Sequence, residues 1–95
     1  DGPLALDNAL SAEAARIKGI DSEVAGDADI LVVPNYEAGN MLAKEMELLG
    51  GAHTAGLVIG AKVPVILTSR ADSESARVAS CLLAKAYVKG VRDSL

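Results

Sequence analysis

The residues best equipped for chemistry are Ser69, Arg70 and Asp72, which follow the apolar run Val65-Ile66-Leu67-Thr68. They set a hydroxyl, a guanidinium and a carboxylate within four positions of one another. The planar donor fork of arginine matches the oxygens of a phosphate or carboxylate. Ser69 and Arg70 fall between an expected strand end and an expected helix start, where free backbone N–H groups and the positive end of the helix dipole favour an anion. Asp72 stands where a side-chain oxygen caps a helix beginning near Ser73. Alone, the same residues also describe an ordinary capped and solvated turn. A second locus adds weight: Gly39 and Asn40 follow the apolar run Ile30-Leu31-Val32-Val33, and ligands in open α/β folds gather at the carboxyl ends of strands.

Other reactive side chains carry less. Cys81 lies within a helical pattern, where a buried thiol is inert, and it has no second cysteine with which to form a disulfide. His53 stands just after a helix stop and reads as a surface or strand-start residue. One histidine and one cysteine do not make a structural zinc site.

The elements that must position these residues are legible from periodicity and punctuation. Residues 3–10 suit a short helix or turn. Ser11 is an N-cap for a helix carrying Ala14, Ala15 and Ile17 that stops at Gly19. A polar connection with a turn at Gly26-Asp27 leads into the run from Asp29 to Pro34, whose continuous apolar character is typical of a strand buried on both faces. Met41, Leu42, Met46 and Leu49 recur at helical spacing up to Gly50-Gly51. Gly39 costs roughly 1 kcal/mol against alanine inside a helix, so it belongs before that helix or where something approaches the backbone. Thr54 to Ile59 and Val65 to Thr68 read as further strands. Their short link, Gly60-Ala61-Lys62, cannot make a parallel crossover and predicts an antiparallel pair or separate layers. From Ser73 onward Ala76, Ala79, Leu82, Leu83, Ala86 and Tyr87 mark a long amphipathic helix.

Composition narrows the function classes. At 95 residues the chain has room for one modest core, and 51% of it is apolar with no Phe or Trp. The core must therefore rest on Ala, Val, Leu and Ile, and a mean hydropathy of +0.30 points to surface that expects a partner. A net charge of −4 with no basic run argues against nucleic acid, whose phosphates need a positive face. No apolar run reaches the roughly 18 residues of a spanning helix. The lone cysteine fits a reducing, cytoplasmic setting.

Four ordered stretches carry a family resemblance: Asp1-Gly2-Pro3-Leu4-Ala5-Leu6-Asp7-Asn8-Ala9, Val24-Ala25-Gly26-Asp27-Ala28-Asp29-Ile30-Leu31, Glu37-Ala38-Gly39-Asn40, and Gly60-Ala61-Lys62-Val63-Pro64-Val65-Ile66-Leu67-Thr68-Ser69-Arg70-Ala71-Asp72-Ser73. Nearly the whole chain resembles the C-terminal part of phosphate acetyltransferases and, more closely, phosphate butyryltransferases. The resemblance implies an α/β architecture, part of a two-lobed fold like that of isocitrate and isopropylmalate dehydrogenases, with helices layered on a mixed sheet. Residues 1–60 would belong to the second lobe and residues 61–95 would return to the first. The chain would be a fragment of a larger, homodimeric enzyme, inactive by itself.

The activity implied is reversible transfer of a short acyl group between coenzyme A and phosphate, with coenzyme A as substrate and no tightly bound cofactor. By resemblance Ser69 would hydrogen-bond the reacting carbonyl or oxyanion, Arg70 would bind phosphate or the acyl phosphate, and Gly39 and Asn40 would line the opposite cleft wall. No metal enters. In the acetyltransferase branch a catalytic Asp follows the equivalent serine by seven residues, and Ala76 stands there in this chain. Asp72 is the nearby carboxylate left for a catalytic role as general base, and its other reading is the helix cap. Two alternatives stand beside the catalytic one. One is a regulatory module that senses an acyl-CoA, like the tails fused to malic enzymes. The other is an assembly or dimerisation module without turnover.

Overall fold

The computed structural model describes all of residues 1–95 and divides the chain into two compact units, Asp1–Ala38 and Gly39–Leu95. The ordered elements are four helices: α1 (Leu6–Leu10), α2 (Ala12–Ile17), α3 (Tyr36–Leu48) and α4 (Glu74–Asp93).

In the first unit α1 and α2 pack on each other through small residues, with Asn8, Ala9 and Ala15 buried. Ser11 caps α2 as its sequence position predicts, its Oγ accepting the Ala14 N–H at 3.2 Å. Gly19, at φ +67°, ends the helix in the left-handed region, and the Ile20 N–H reaches back to the Ala15 carbonyl. The following loop folds back onto α1: the Gly26 and Ala28 N–H groups donate to the carbonyls of Asn8 and Ala9 at 2.7 and 3.1 Å. Gly26 is indispensable here. It sits at φ +87°, and a Cβ at that position would lie 2.5 Å from Ala12 Cα.

The boundary between the units falls within α3, and in the second unit the rest of α3 and all of α4 flank an irregular excursion through residues 52–68. The helix α3 starts at Tyr36, earlier than the apolar spacing predicts, because the Asn35 side chain accepts the Ala38 N–H at 2.9 Å and caps it. Gly39 therefore lies inside the helix. Its end is closed by the Ala52 N–H donating to the Met46 carbonyl at 2.9 Å, six residues back, with Gly51 at φ +65°. Ser80, the most buried side chain of α4, ties the excursion down: its Oγ accepts the Gly56 N–H at 2.9 Å and donates to the Ala76 carbonyl at 2.7 Å.

The expected mixed sheet does not form, and the α/β reading of helices layered on it is corrected accordingly. Only Val58 and Val65 pair, in one isolated antiparallel bridge with N···O distances of 2.8 and 3.1 Å. The orientation is the one the short Gly60–Lys62 link requires. The run from Asp29 to Pro34 has no ladder partner, and Ile30 and Val32 are 82% and 91% exposed. An apolar run carries the capacity to be a buried strand, but a strand also needs a neighbour for its N–H and C=O groups. The three apolar runs read as strands form no ladder beyond that single bridge.

Candidate functional site

The turn from Ser69 to Asp72 is closed by the Asp72 N–H, which donates to the Ser69 carbonyl at 3.1 Å. Side chains lock it from both ends. The Ser69 N–H donates to Asp72 Oδ2 at 2.8 Å, and Ser69 Oγ accepts the Ala71 N–H at 3.3 Å. The aspartate thus caps the turn and not the helix. The cap of α4 is Ser73, in an extended conformation, with its Oγ accepting the Ala76 N–H at 3.2 Å. A one-residue shift in the cap turns the Asp72 carboxylate back onto Ser69.

The second oxygen of that carboxylate is also engaged. Asp72 Oδ1 lies 3.6 Å from Lys44 Nζ, which in turn lies 3.7 Å from Glu47. Lys44 links α3 to the turn, a link that no sequence pattern flagged. Its only signal is position: Asn40 and Lys44 are four apart, and so share one face of a helix. Neither Gly39 nor Asn40 makes a hydrogen bond or ion pair to the Ser69–Asp72 turn. They sit on the first turns of α3, Gly39 half-buried and Asn40 exposed, on the helix whose Lys44 reaches Asp72.

Arg70 and Ala71 form the corner of the turn, and the Arg70 side chain is exposed and enters no ion pair within the chain. A second guanidinium lies behind it. Arg77 Nη2 lies 3.4 Å from the carbonyl oxygens of both Ser69 and Arg70. Arg77 was missed in the sequence because it reads as one more polar residue on the solvent face of α4. Beside the turn opens a cleft of about 450 Å³ lined by Asp72, His53, Thr54, Ser73, Ser75 and Ala76, among others. His53 is therefore near the carboxylate, and Ala76 is at the wall. Cys81 is exposed on α4, outside that lining.

The arrangement is a rigid turn that presents one uncompensated guanidinium and one hydroxyl. Hydrogen bonds hold the backbone from which Arg70 projects, and its guanidinium has no partner in the chain to compete with an anion.

A family model described as phosphate acetyl/butaryl transferase matches residues 1–85. A phosphate acetyltransferase of Rhizobium meliloti is 64% identical over 92% of this chain, and a phosphate butyryltransferase of Clostridium beijerinckii is 52% identical over 88% of it. In each case the chain spans 28% of the relative's length. The crystal structure of a branched-chain phosphotransacylase from Enterococcus faecalis V583 superposes with a TM-score of 0.80 at 47% identity, covering 92% of this chain and 33% of that one.

Proposed function

Because the chain belongs to the phosphate acetyl/butyryl transferase family, we propose that it forms part of an enzyme that moves a short acyl group between coenzyme A and phosphate. The observation that carries this reading is the Ser69–Asp72 turn, pinned by the 2.8 Å bond from the Ser69 N–H to Asp72 and offering an unpaired Arg70 at its corner.

In the forward direction phosphate attacks the acyl-CoA thioester carbonyl, a tetrahedral oxyanion forms, and the thiolate of coenzyme A leaves. Arg70 holds the attacking phosphate through its paired donors. The Ser69 hydroxyl donates to the oxyanion, where stabilisation acts on charge that develops only in the transition state. Gly39 and Asn40 serve the substrate from α3, a missing side chain leaving room and an amide giving a donor. Asp72 holds the turn. Each of its oxygens has one partner, the Ser69 N–H and Lys44, and keeps a lone pair with which Asp72 could serve as general base. Coenzyme A is a substrate in this scheme, and no bound cofactor takes part. A cytoplasmic, homodimeric enzyme with residues 61–95 returning to a first lobe completes the proposal.

The test is release of free coenzyme A thiol from butyryl-CoA and phosphate by the full-length protein that carries this chain, beside its Ser69→Ala and Arg70→Ala variants. The expected result is turnover by the parent, with Ser69→Ala losing kcat and Arg70→Ala losing phosphate affinity. A parent inert with acetyl-, propionyl- and butyryl-CoA overturns the catalytic reading and leaves an acyl-CoA-sensing module, for which the absence of a carboxylate at Ala76 then speaks.

A further inference from the structure

We infer that Arg77 is a positioning residue for the phosphate-holding turn, its guanidinium lying across the Ser69 and Arg70 carbonyl oxygens and fixing the conformation in which Arg70 is presented. The inference rests on the reading of that turn as a phosphate site.

Three observations carry it. The first is placement. Arg77 is four residues past the cap of α4, where its N–H makes a helical bond to the Ser73 carbonyl at 3.2 Å, so its backbone is fixed. Side chains on a helix lean toward its N-terminus, and the turn lies immediately before that end. The geometry of the helix thus aims Arg77 at the turn. The second is division of labour. The Asp72 carboxylate and the Ser69 hydroxyl secure the Ser69 and Ala71 N–H groups, and the Asp72 N–H donates to the Ser69 carbonyl, while Arg77 is the side chain that engages the carbonyls of Ser69 and Arg70. Without it the Arg70 peptide plane, at the exposed corner, has no anchor on its carbonyl side.

The third is electrostatic. Carbonyl oxygens carry partial negative charge and would repel an anion held at Arg70. A cation drawn across both of them offsets this and adds a second positive charge behind the first. The nearby anions Asp72 and Glu47 are engaged by Lys44, and neither forms an ion pair with Arg70 or Arg77.

The test uses the full-length protein that carries this chain, with Arg77→Gln, Arg77→Lys and, as a control further along the same helix, Arg92→Gln. Two readouts are taken. One is the KM for inorganic phosphate and for butyryl-CoA together with kcat. The other, independent of activity, is the rate of tryptic cutting at the Arg70–Ala71 bond, followed by mass spectrometry. A turn released from its anchor should raise the phosphate KM by about tenfold in Arg77→Gln, with kcat and the butyryl-CoA KM within about twofold of the parent. Cutting at Arg70 should quicken by about fivefold, as a local opening becomes easier. Arg77→Lys should restore part of both, and Arg92→Gln should change neither. A phosphate KM within twofold of the parent in Arg77→Gln, or unchanged cutting, overturns the assignment. Should the parent show no turnover, the functional reading fails separately. The cutting rate alone then decides whether Arg77 holds the turn.

Discussion

The Ser69 N–H donates to the Asp72 carboxylate at 2.8 Å, three residues away, so the acidic side chain of the turn holds the backbone of its neighbour. Lys44 takes the other oxygen at 3.6 Å. A carboxylate held in this way orients the turn that carries Ser69 and Arg70, and predictions about the site start there.

Asp72→Asn keeps an acceptor for the Ser69 N–H and loses only the attraction for Lys44. We expect steady-state kcat to fall by no more than about tenfold, whereas removing a general base costs roughly 10²- to 10⁴-fold. Asp72→Ala, which frees the Ser69 N–H, should be the worse of the two. A hundredfold loss in Asp72→Asn would make Asp72 the base.

Ser80→Ala removes the hydroxyl that accepts the Gly56 N–H and leaves that group without its partner in a half-buried segment. Denaturant unfolding should show a loss of about 1–3 kcal/mol, the cost of an unsatisfied buried donor. Hydrogen exchange at Gly56 should quicken in the same variant. An unchanged midpoint would mean that water replaces the hydroxyl without penalty.

Gly26→Ala places a Cβ 2.5 Å from Ala12 Cα and forces a side chain to φ +87°. Both costs act on the loop that closes against α1, through the Gly26 N–H donating to the Asn8 carbonyl at 2.7 Å. Stability should drop by about 2–4 kcal/mol, read as a lowered Tm. The neighbouring Ala25→Gly, which adds freedom without a clash, should cost about 1 kcal/mol at most.

The hydrogen bond from Lys18 Nζ to Asp7 Oδ2, at 2.9 Å, holds the Asp7 carboxyl below the ordinary aspartate range. A carboxyl depressed in the folded state contributes stability above its unfolded value of about 4, and that contribution is lost as pH falls through the lower folded value. The pair is exposed, so the effect on global stability should be slight. The direct check is the carboxyl chemical shift of Asp7 against pH. In Lys18→Met its midpoint should rise toward that of a free aspartate, and an unmoved midpoint would remove Lys18 as the cause.

Much of the local structure was written in short-range chemistry. Ser11 as a cap, Gly19 and Gly51 as helix ends, and the long helix after Ser73 follow from the preferences of single residues for particular backbone states, which need no distant partner. The ordered motifs likewise carried the family. Residue type and spacing marked Ser69 and Arg70 as a candidate anion site, a reading shared with an ordinary capped turn, and the family resemblance supplied their proposed roles.

What sequence alone did not decide were the relations between segments. It placed a sheet where the apolar runs were, since the capacity for burial is local while the ladder partner is not, and only Val58 and Val65 found each other. It gave Asp72 to the helix cap, one residue from the true cap at Ser73, because both side chains can play that part and only the fold selects between them. Lys44 and Arg77 were invisible as neighbours of the turn. Lys44 reaches it from α3 across a distance in the chain that tertiary packing closes, whereas Arg77 reaches back from the first turns of α4, and in both cases a long flexible side chain leaves its target unmarked in the sequence.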